Sequence, residues 1–238
     1  KFLKENNIKL LITATANAVS VAEHVMYMIL TLSKGIVGYD KMVRAGEFRK
    51  AVNQLTTFEL LNKEILILGF GRIGKNLIKR CIGFEMKVKV YDPFIDESEI
   101  KKFGGNKVDN LDEAFKSADY ISIHMPLNSK TKNLINFKKL ETMKKNVIII
   151  NTARGGIINE NDLNIALKKN IIFGAGLDVF EKEPINLDNP LLKNKKVLLS
   201  PHSATFTEEC TERMGIETVQ NVIDFFENKI KNNMIVKL

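Results

Sequence analysis

Cysteine is scarce in this sequence, and so are the signals that send a protein to a membrane or out of the cell. The only two cysteines, Cys81 and Cys210, lie far apart without a CxxC pair or a nearby ligand cluster, which argues against a disulfide or a zinc site. The first thirty residues lack the apolar core of a secretory signal. The longest apolar-rich run, residues 18–32, contains Glu23 and His24 and is too short to span a bilayer. We therefore expect a cytoplasmic protein with no metal and no membrane segment.

Arginine and basic clusters are also lacking. The net charge is +8, yet only six of the 36 basic residues are arginine, and the lysines are scattered rather than grouped with aromatic residues. This pattern is typical of a solvated surface and disfavours a nucleic-acid partner. With 45% hydrophobic residues in 238, the chain can form a substantial core.

From Glu64 onward, short apolar runs alternate with amphipathic stretches, which predicts βαβ units and a parallel sheet. Six strands are expected, at residues 65–68, 88–91, 120–123, 147–150, 171–177 and 197–200. Helices are expected at residues 73–82, 112–117, 137–143, 160–168 (after the N-cap Asn159) and 207–228. The fold class is a doubly wound parallel-sheet Rossmann domain.

Two segments before this sheet also carry a pattern. Residues 6–13, "NNIKLLIT", indicate a strand. Residues 18–32, after a predicted N-cap at Asn17, indicate a helix that is apolar nearly all round. Such a helix is buried on several sides, so we expect it between the sheet and either another domain or a partner subunit.

The stretch "ILILGFGRIG" carries the clearest chemistry. Gly69, Gly71 and Gly74 form G-x-G-x-x-G after a buried strand and at the start of a helix, where Arg72 and Ile73 add free amide groups for a pyrophosphate. Asp92 ends the next strand, where its carboxylate can bind an adenosine ribose and repel a 2′-phosphate. The pattern predicts NAD rather than NADP.

The other strands end in polar residues too. Parallel strands share one carboxyl edge, where ligands of open α/β sheets bind. This places Arg154, Asp178 and His202 in the same cleft as the glycines. An arginine suits a carboxylate and a neighbouring carbonyl, while a histidine can exchange a proton near neutral pH if a carboxylate holds its far nitrogen. Glu183, held extended before Pro184, is the favoured partner.

The chain resembles the D-isomer-specific 2-hydroxyacid dehydrogenases. The resemblance rests on "NAVSVAEH", "GFGRIG" with its acid, "HMPLNSKT", "NTARGG", "GLDVFEKEP" and "SPHSAT", which occur in the family's order. It implies that Arg154 orients and polarises the substrate, that His202 is the general acid or base, and that Glu183 is its partner. The cofactor contacts we expect besides the glycine loop and its acid are His124, Pro126, Thr131, Thr152, Asp178 (at the nicotinamide carboxamide) and Ala204.

The resemblance also implies a homodimer through residues 17–34 and a further N-terminal segment that is absent from this sequence. Accordingly, residues 14–204 are expected to form the NAD-binding domain, with residues 1–13 and 205–238 as remnants of a discontinuous substrate domain. The expected activity interconverts a 2-keto acid and a D-2-hydroxy acid. Two alternatives stay open: an NAD(H)-sensing corepressor-like binding protein, and a formate dehydrogenase-like enzyme, which is disfavoured because formate dehydrogenases have Gln in place of Glu183.

Overall fold

The structure, a computed structural model, describes residues 2–13, 15–50 and 55–236. Its strands are β1 Glu64–Leu68, β2 Lys87–Tyr91, β3 Asn106–Lys107, β4 Tyr120–Ile123, β5 Ile148–Asn151, β6 Gly174–Leu177 and β7 Val197–Leu199. Its α-helices are α1 Phe2–Glu5, α2 Ala18–Lys34, α3 Ile36–Arg44, α4 Arg72–Gly83, α5 Glu97–Lys102, α6 Leu111–Ser117, α7 Phe137–Thr142, α8 Glu160–Lys168 and α9 Glu208–Phe226.

The strands form one parallel sheet in the order β3-β2-β1-β4-β5-β6-β7. The order reverses between β1 and β4, so the two crossovers that leave this point run in opposite directions and open a crevice at the carboxyl ends. The predicted doubly wound fold is confirmed.

Each central strand contributes side chains to two hydrophobic cores, because its side chains alternate between the two faces of the sheet. In β1, Ile65 and Ile67 pack with α2, α4 and α5, whereas Leu66 and Leu68 pack with α6, α7 and α8. All four side chains are fully buried. This double burial explains why the strands are continuous apolar runs in the sequence.

Several boundaries differ from the sequence prediction. The strand expected at residues 171–177 begins at Gly174, because Asn170 turns left-handed (φ 56°) and the Ile171 amide bonds back to the Ala166 carbonyl, closing α8. The two-residue strand β3 was missed because so short a segment has no detectable alternation. Helices α3 and α5 were also missed.

The strand predicted at residues 6–13 is wrong. Only Leu11 forms a β-bridge, antiparallel to Ile235, and the apolar side chains of Ile8, Leu10 and Ile12 are exposed. The alternating pattern is present, but this segment has no sheet beside it. It pairs instead with residues near the opposite end of the chain.

Helix α2 lies against α4 and the sheet, as its apolarity predicted, with Val25, Met28 and Ile29 fully buried. Asn17 stands at the predicted N-cap position of α2, but its backbone is already near-helical (φ −93°, ψ −10°), and its side chain makes no capping bond. Asn159 does cap α8, accepting a hydrogen bond from the Asp162 amide.

Candidate active site

The glycine loop and Asp92 lie together, as predicted. Helix α4 begins at Arg72, directly after Gly71, and no side chain caps its first turn. Asp92 accepts hydrogen bonds from the Phe70 amide (2.8 Å) and from the Phe94 amide (2.9 Å). Its carboxylate therefore sits beside the loop with both oxygens held in place, and each oxygen keeps a lone pair for a further donor.

The space around the loop fits a dinucleotide. A Cβ added at Gly74 would lie 2.5 Å from the Gly69 carbonyl oxygen, which shows how closely helix and strand approach. A Cβ added at Gly71 would meet nothing within 4 Å. The open space thus lies at the position where the pattern requires the backbone to meet a pyrophosphate.

Two buried polar atoms support the same fit. Within the described ranges, His124 Nδ1 and Thr152 Oγ1 are the buried side-chain atoms that have no hydrogen-bond partner. They follow the neighbouring strands β4 and β5 at the crevice. His124 Nε2 bonds to Ser122 Oγ at 2.7 Å, and burial lowers the pKa of His124 to about 3, so its ring is neutral. Unpaired buried polar groups are costly, and a cofactor in the crevice would offer them partners.

Thr131 is engaged within its own turn. Its hydroxyl donates to the Pro126 carbonyl at 2.7 Å and accepts from the Asn128 amide at 2.8 Å. The two residues predicted as separate cofactor contacts, Pro126 and Thr131, are therefore the two ends of one closed turn that follows β4.

His202 and Glu183 form the predicted pair. His202 Nδ1 lies 2.7 Å from Glu183 Oε2, and the Phe180 amide donates to Glu183 Oε1 at 3.0 Å. Partial burial opposes the ionisation of Glu183, but the bonds from His202 and Phe180 outweigh it and hold the pKa below its usual value. Half of the His202 side chain is exposed. Since Nδ1 faces the carboxylate, Nε2 is the nitrogen left for a reactant.

Arg154 lies on a loop that approaches the loop carrying Glu183 closely. Asn151 shapes it, donating to the Arg154 carbonyl (2.9 Å) and accepting from the Ala153 amide (3.0 Å). A Cβ at Gly155 would lie 1.8 Å from the Phe180 carbonyl oxygen, so only glycine permits this approach. The Arg154 guanidinium is exposed and, in the described part of the chain, bonds only to the Ala153 carbonyl. Its positive charge also contributes to lowering the pKa of Glu183.

Asp178 points into the protein. Its side chain is 1% exposed, and its oxygens accept from the Ser200 hydroxyl (2.5 Å), the Ser203 amide (2.8 Å) and the Ala204 amide (3.1 Å). Asp178 and Ala204, both predicted as cofactor contacts, are thus bonded to each other. Ser200 and Asn151 were missed by the sequence analysis. Both stand at strand ends, and that position is the only signal that could have identified them.

His24 of α2 is a packed side chain. It is only 16% exposed, and its Nε2 lies 3.0 Å from Ser200 Oγ. Helical periodicity does not show which residues of the sheet a buried face contacts, so the sequence analysis did not identify this contact.

Comparison with known proteins shows the family to which the chain belongs. Residues 26–204 match the family described as "D-isomer specific 2-hydroxyacid dehydrogenase, NAD binding domain". The chain belongs to the D-isomer-specific 2-hydroxyacid dehydrogenase family. It carries that family's NAD-binding domain on a Rossmann fold, as the sequence predicted.

Individual relatives and solved structures are similar over most of this chain. A D-3-phosphoglycerate dehydrogenase of Methanocaldococcus jannaschii is 36% identical over 220 residues, which cover 92% of this chain and 41% of that protein. A hydroxypyruvate reductase of Thermotoga maritima is 38% identical, covering 92% and 70%. A solved D-lactate dehydrogenase of Aquifex aeolicus, complexed with NAD and lactic acid, has a TM-score of 0.87 and 30% identity, covering 99% of this chain and 75% of that one. The chain thus spans about two fifths of the first of these dehydrogenases.

Among the described residues, no helix combines the length and hydropathy needed to cross a membrane. No group of three or more His, Cys, Asp or Glu side chains in those ranges is arranged to hold a metal ion.

Proposed function

We propose that this family member is part of an NAD-dependent oxidoreductase that interconverts a 2-keto acid and the corresponding D-2-hydroxy acid, with His202 as general acid and base. The observation that carries the proposal is the 2.7 Å contact between His202 Nδ1 and Glu183 Oε2 at the carboxyl edge of the sheet, beside the glycine loop. It orients the ring and leaves Nε2 for the reacting oxygen.

The chain's residues divide the work as follows. When bound, NADH would supply the hydride that reduces the carbonyl carbon of the keto acid. His202 gives its Nε2 proton to the carbonyl oxygen, so that a hydroxyl forms, and it takes that proton back in the reverse direction. Glu183 stabilises the protonated ring. The exposed guanidinium of Arg154 binds the substrate carboxylate and polarises the carbonyl.

The cofactor would lie along the crevice. The amide groups at the start of α4, from Gly71 to Gly74, would hold the pyrophosphate, and Asp92 the adenosine ribose. His124 and Thr152 would contact it through their unpaired buried atoms. The turn from Pro126 to Thr131 would form one wall. Asp178 and Ala204 would contribute by holding the loop at the nicotinamide end.

The second candidate is a binding protein that senses NAD(H) without turning over a substrate. The same residues could bind the nucleotide in both cases, so only a reaction separates them. Two relatives are a hydroxypyruvate reductase and a glyoxylate reductase, so hydroxypyruvate and glyoxylate define the substrate class to test.

The experiment follows NADH absorbance with the full-length protein and a panel of small 2-keto acids. We expect wild-type turnover, and a loss of about 10²–10⁴-fold in His202→Ala with an unchanged Kd for NADH by fluorescence. Unchanged turnover in the variant would show that the proton comes from another group. Tight NADH binding by the wild type without reduction of any acid would favour the sensing protein.

We also propose the predicted assembly. Val19 and Tyr27 of α2 are 37% and 52% exposed, and Ile36 and Val37 of α3 extend this apolar surface, which supports a homodimer through residues 17–34. A monomeric mass of the full-length protein by light scattering would contradict it. The cytoplasmic location and the lack of a nucleic-acid partner stay predictions.

The division into domains is proposed on the contacts of the chain ends. The Val236 amide bonds to the Leu10 carbonyl, and the Ile12 amide bonds to the Met234 carbonyl, so described residues near the two ends of the chain pair with each other. This supports residues 14–204 as the NAD-binding domain and both ends as parts of a second domain. Hydrogen exchange that is equally slow in both ends and in the central strands would argue against separate domains.

A further inference from the structure

The loop that carries His202 is tied to one buried carboxylate. Asp178 bonds to the side chain of Ser200, two residues before the histidine, and to the amides of Ser203 and Ala204, one and two residues after it. His202 itself has a left-handed backbone (φ 54°), an uncommon conformation for a residue other than glycine. The bonds on both sides of His202 hold this conformation in place.

These bonds matter because the carboxylate has little other compensation. A buried charge requires hydrogen bonds or an opposite charge. In the described residues no lysine or arginine lies within ion-pair distance of Asp178, and His24 is the nearest basic group, with Nε2 at 3.8 Å from Oδ1. Each donor that Asp178 receives is therefore important for its placement.

The position of the hydrogen atoms follows from the contacts. Ser200 has a single hydroxyl hydrogen, and a carboxylate oxygen at 2.5 Å can only accept it. The remaining contact of Ser200 Oγ, to His24 Nε2 at 3.0 Å, must then be a bond in which His24 donates. Burial lowers the pKa of His24 more than the nearby Asp178 raises it, which agrees with a neutral ring protonated on Nε2.

We propose that His24 is a positioning residue: its Nε2–H fixes the hydroxyl of Ser200 toward Asp178, and this carboxylate holds the loop that presents His202. The inference rests on the proposed role of His202. It gives a residue of α2, 178 positions away in the chain, an effect on proton transfer without contact with the substrate.

The test compares His24→Phe, which keeps an aromatic ring but has no donor, with His24→Gln, whose side-chain amide can donate from a similar position. Glu23→Gln, on an exposed neighbour in the same helix, is the control. We expect His24→Phe to lower kcat about fivefold, the equivalent of one hydrogen bond of about 1 kcal/mol, with little change in KM for the keto acid or Kd for NADH. His24→Gln should restore most of kcat, and Glu23→Gln should match the wild type.

A second measurement is independent of turnover. Amide hydrogen exchange at Ser203 and Ala204 should be several-fold faster in His24→Phe than in the wild type, while exchange in the central strands stays the same. Ser200→Ala breaks the same link from the other end and should give the same changes, and the double variant should lose no more than either single one. Ser200→Ala also tests the inference if His24→Phe does not fold.

Three results would overturn the inference. The first is wild-type exchange at Ser203 and Ala204 in folded His24→Phe and Ser200→Ala, and the second is a wild-type kcat in both. The third is a His24→Gln as impaired as His24→Phe, because loss of the donor would then not be the cause. If the wild type reduces no keto acid at all, the proposed function fails, but the exchange rates still decide whether His24 holds the loop.

Discussion

Gly71 and Gly74 are three residues apart in one motif, and the structure predicts opposite consequences for the same substitution. At Gly71 an added methyl group meets nothing within 4 Å, and the backbone (φ −74°, ψ −160°) is one that alanine adopts readily. At Gly74 the methyl group would lie 2.5 Å from the Gly69 carbonyl oxygen. Gly71→Ala thus probes space left for a ligand, and Gly74→Ala probes packing within the protein.

The magnitudes follow from these contacts. At Gly71, alanine restricts the unfolded chain and so raises the free energy of unfolding, whereas alanine is a poorer N-cap than glycine and so lowers it. The net change in the free energy of unfolding stays within about 1 kcal/mol of zero. At Gly74 a backbone oxygen must move from 2.5 Å to at least 3.0 Å, an overpacking that costs about 1–3 kcal/mol. For a chain of this size that lowers Tm by about 2–12 °C.

The assay pairs thermal unfolding with an NADH titration by fluorescence. Gly71→Ala should keep the wild-type Tm and bind NADH at least about tenfold more weakly, a loss of about 1.4 kcal/mol, because its methyl group occupies the place of the pyrophosphate. Gly74→Ala should have a lower Tm than the wild type. A folded Gly71→Ala that binds NADH like the wild type would refute the placement of the cofactor on this loop.

Two further predictions concern the acids of the site. Because the folded state holds the pKa of Glu183 below the ordinary value of 4.5, the ionised group stabilises the protein above that pH and stops doing so as pH falls through its folded value. The advantage of the wild type over Glu183→Gln in urea unfolding, below about 1 kcal/mol for this partly exposed pair, should therefore vanish in acid; a gap that widens there would contradict this. Asp92→Ala should narrow the preference for NADH over NADPH, and it should lower Tm because the Phe70 amide loses its acceptor. The control is Asp96→Ala, whose side chain makes no capping bond and which should change neither quantity. An unaltered cofactor ratio in Asp92→Ala would mean that Asp92 does not touch the ribose.

The sequence was sufficient to predict the sheet and the edge at which the site lies. Continuous apolar runs identify strands buried on both faces, and parallel strands bring their ends to one edge, so the places of Gly69, Asp92 and His202 follow from topology alone. The contacts among the strand-end loops do not follow in this way. They depend on which side chain turns inward, and Asp178 and Glu183, both acids after β6, turn to different partners.

Asp178 and Glu183 differ in burial and in their hydrogen-bond partners, and this difference suits them to different roles in the proposed site. Asp178 is almost fully buried and accepts hydrogen bonds from Ser200, Ser203 and Ala204, so it fixes the backbone around His202. Glu183 is 37% exposed and bonds to the His202 ring, whose charge would change in the proposed proton transfer. The bonds from the Ser203 and Ala204 amides to the Asp178 carboxylate can hold the left-handed backbone of His202 in place. Solvent reaches Glu183, so this carboxylate can stay ionised beside either charge state of the His202 ring.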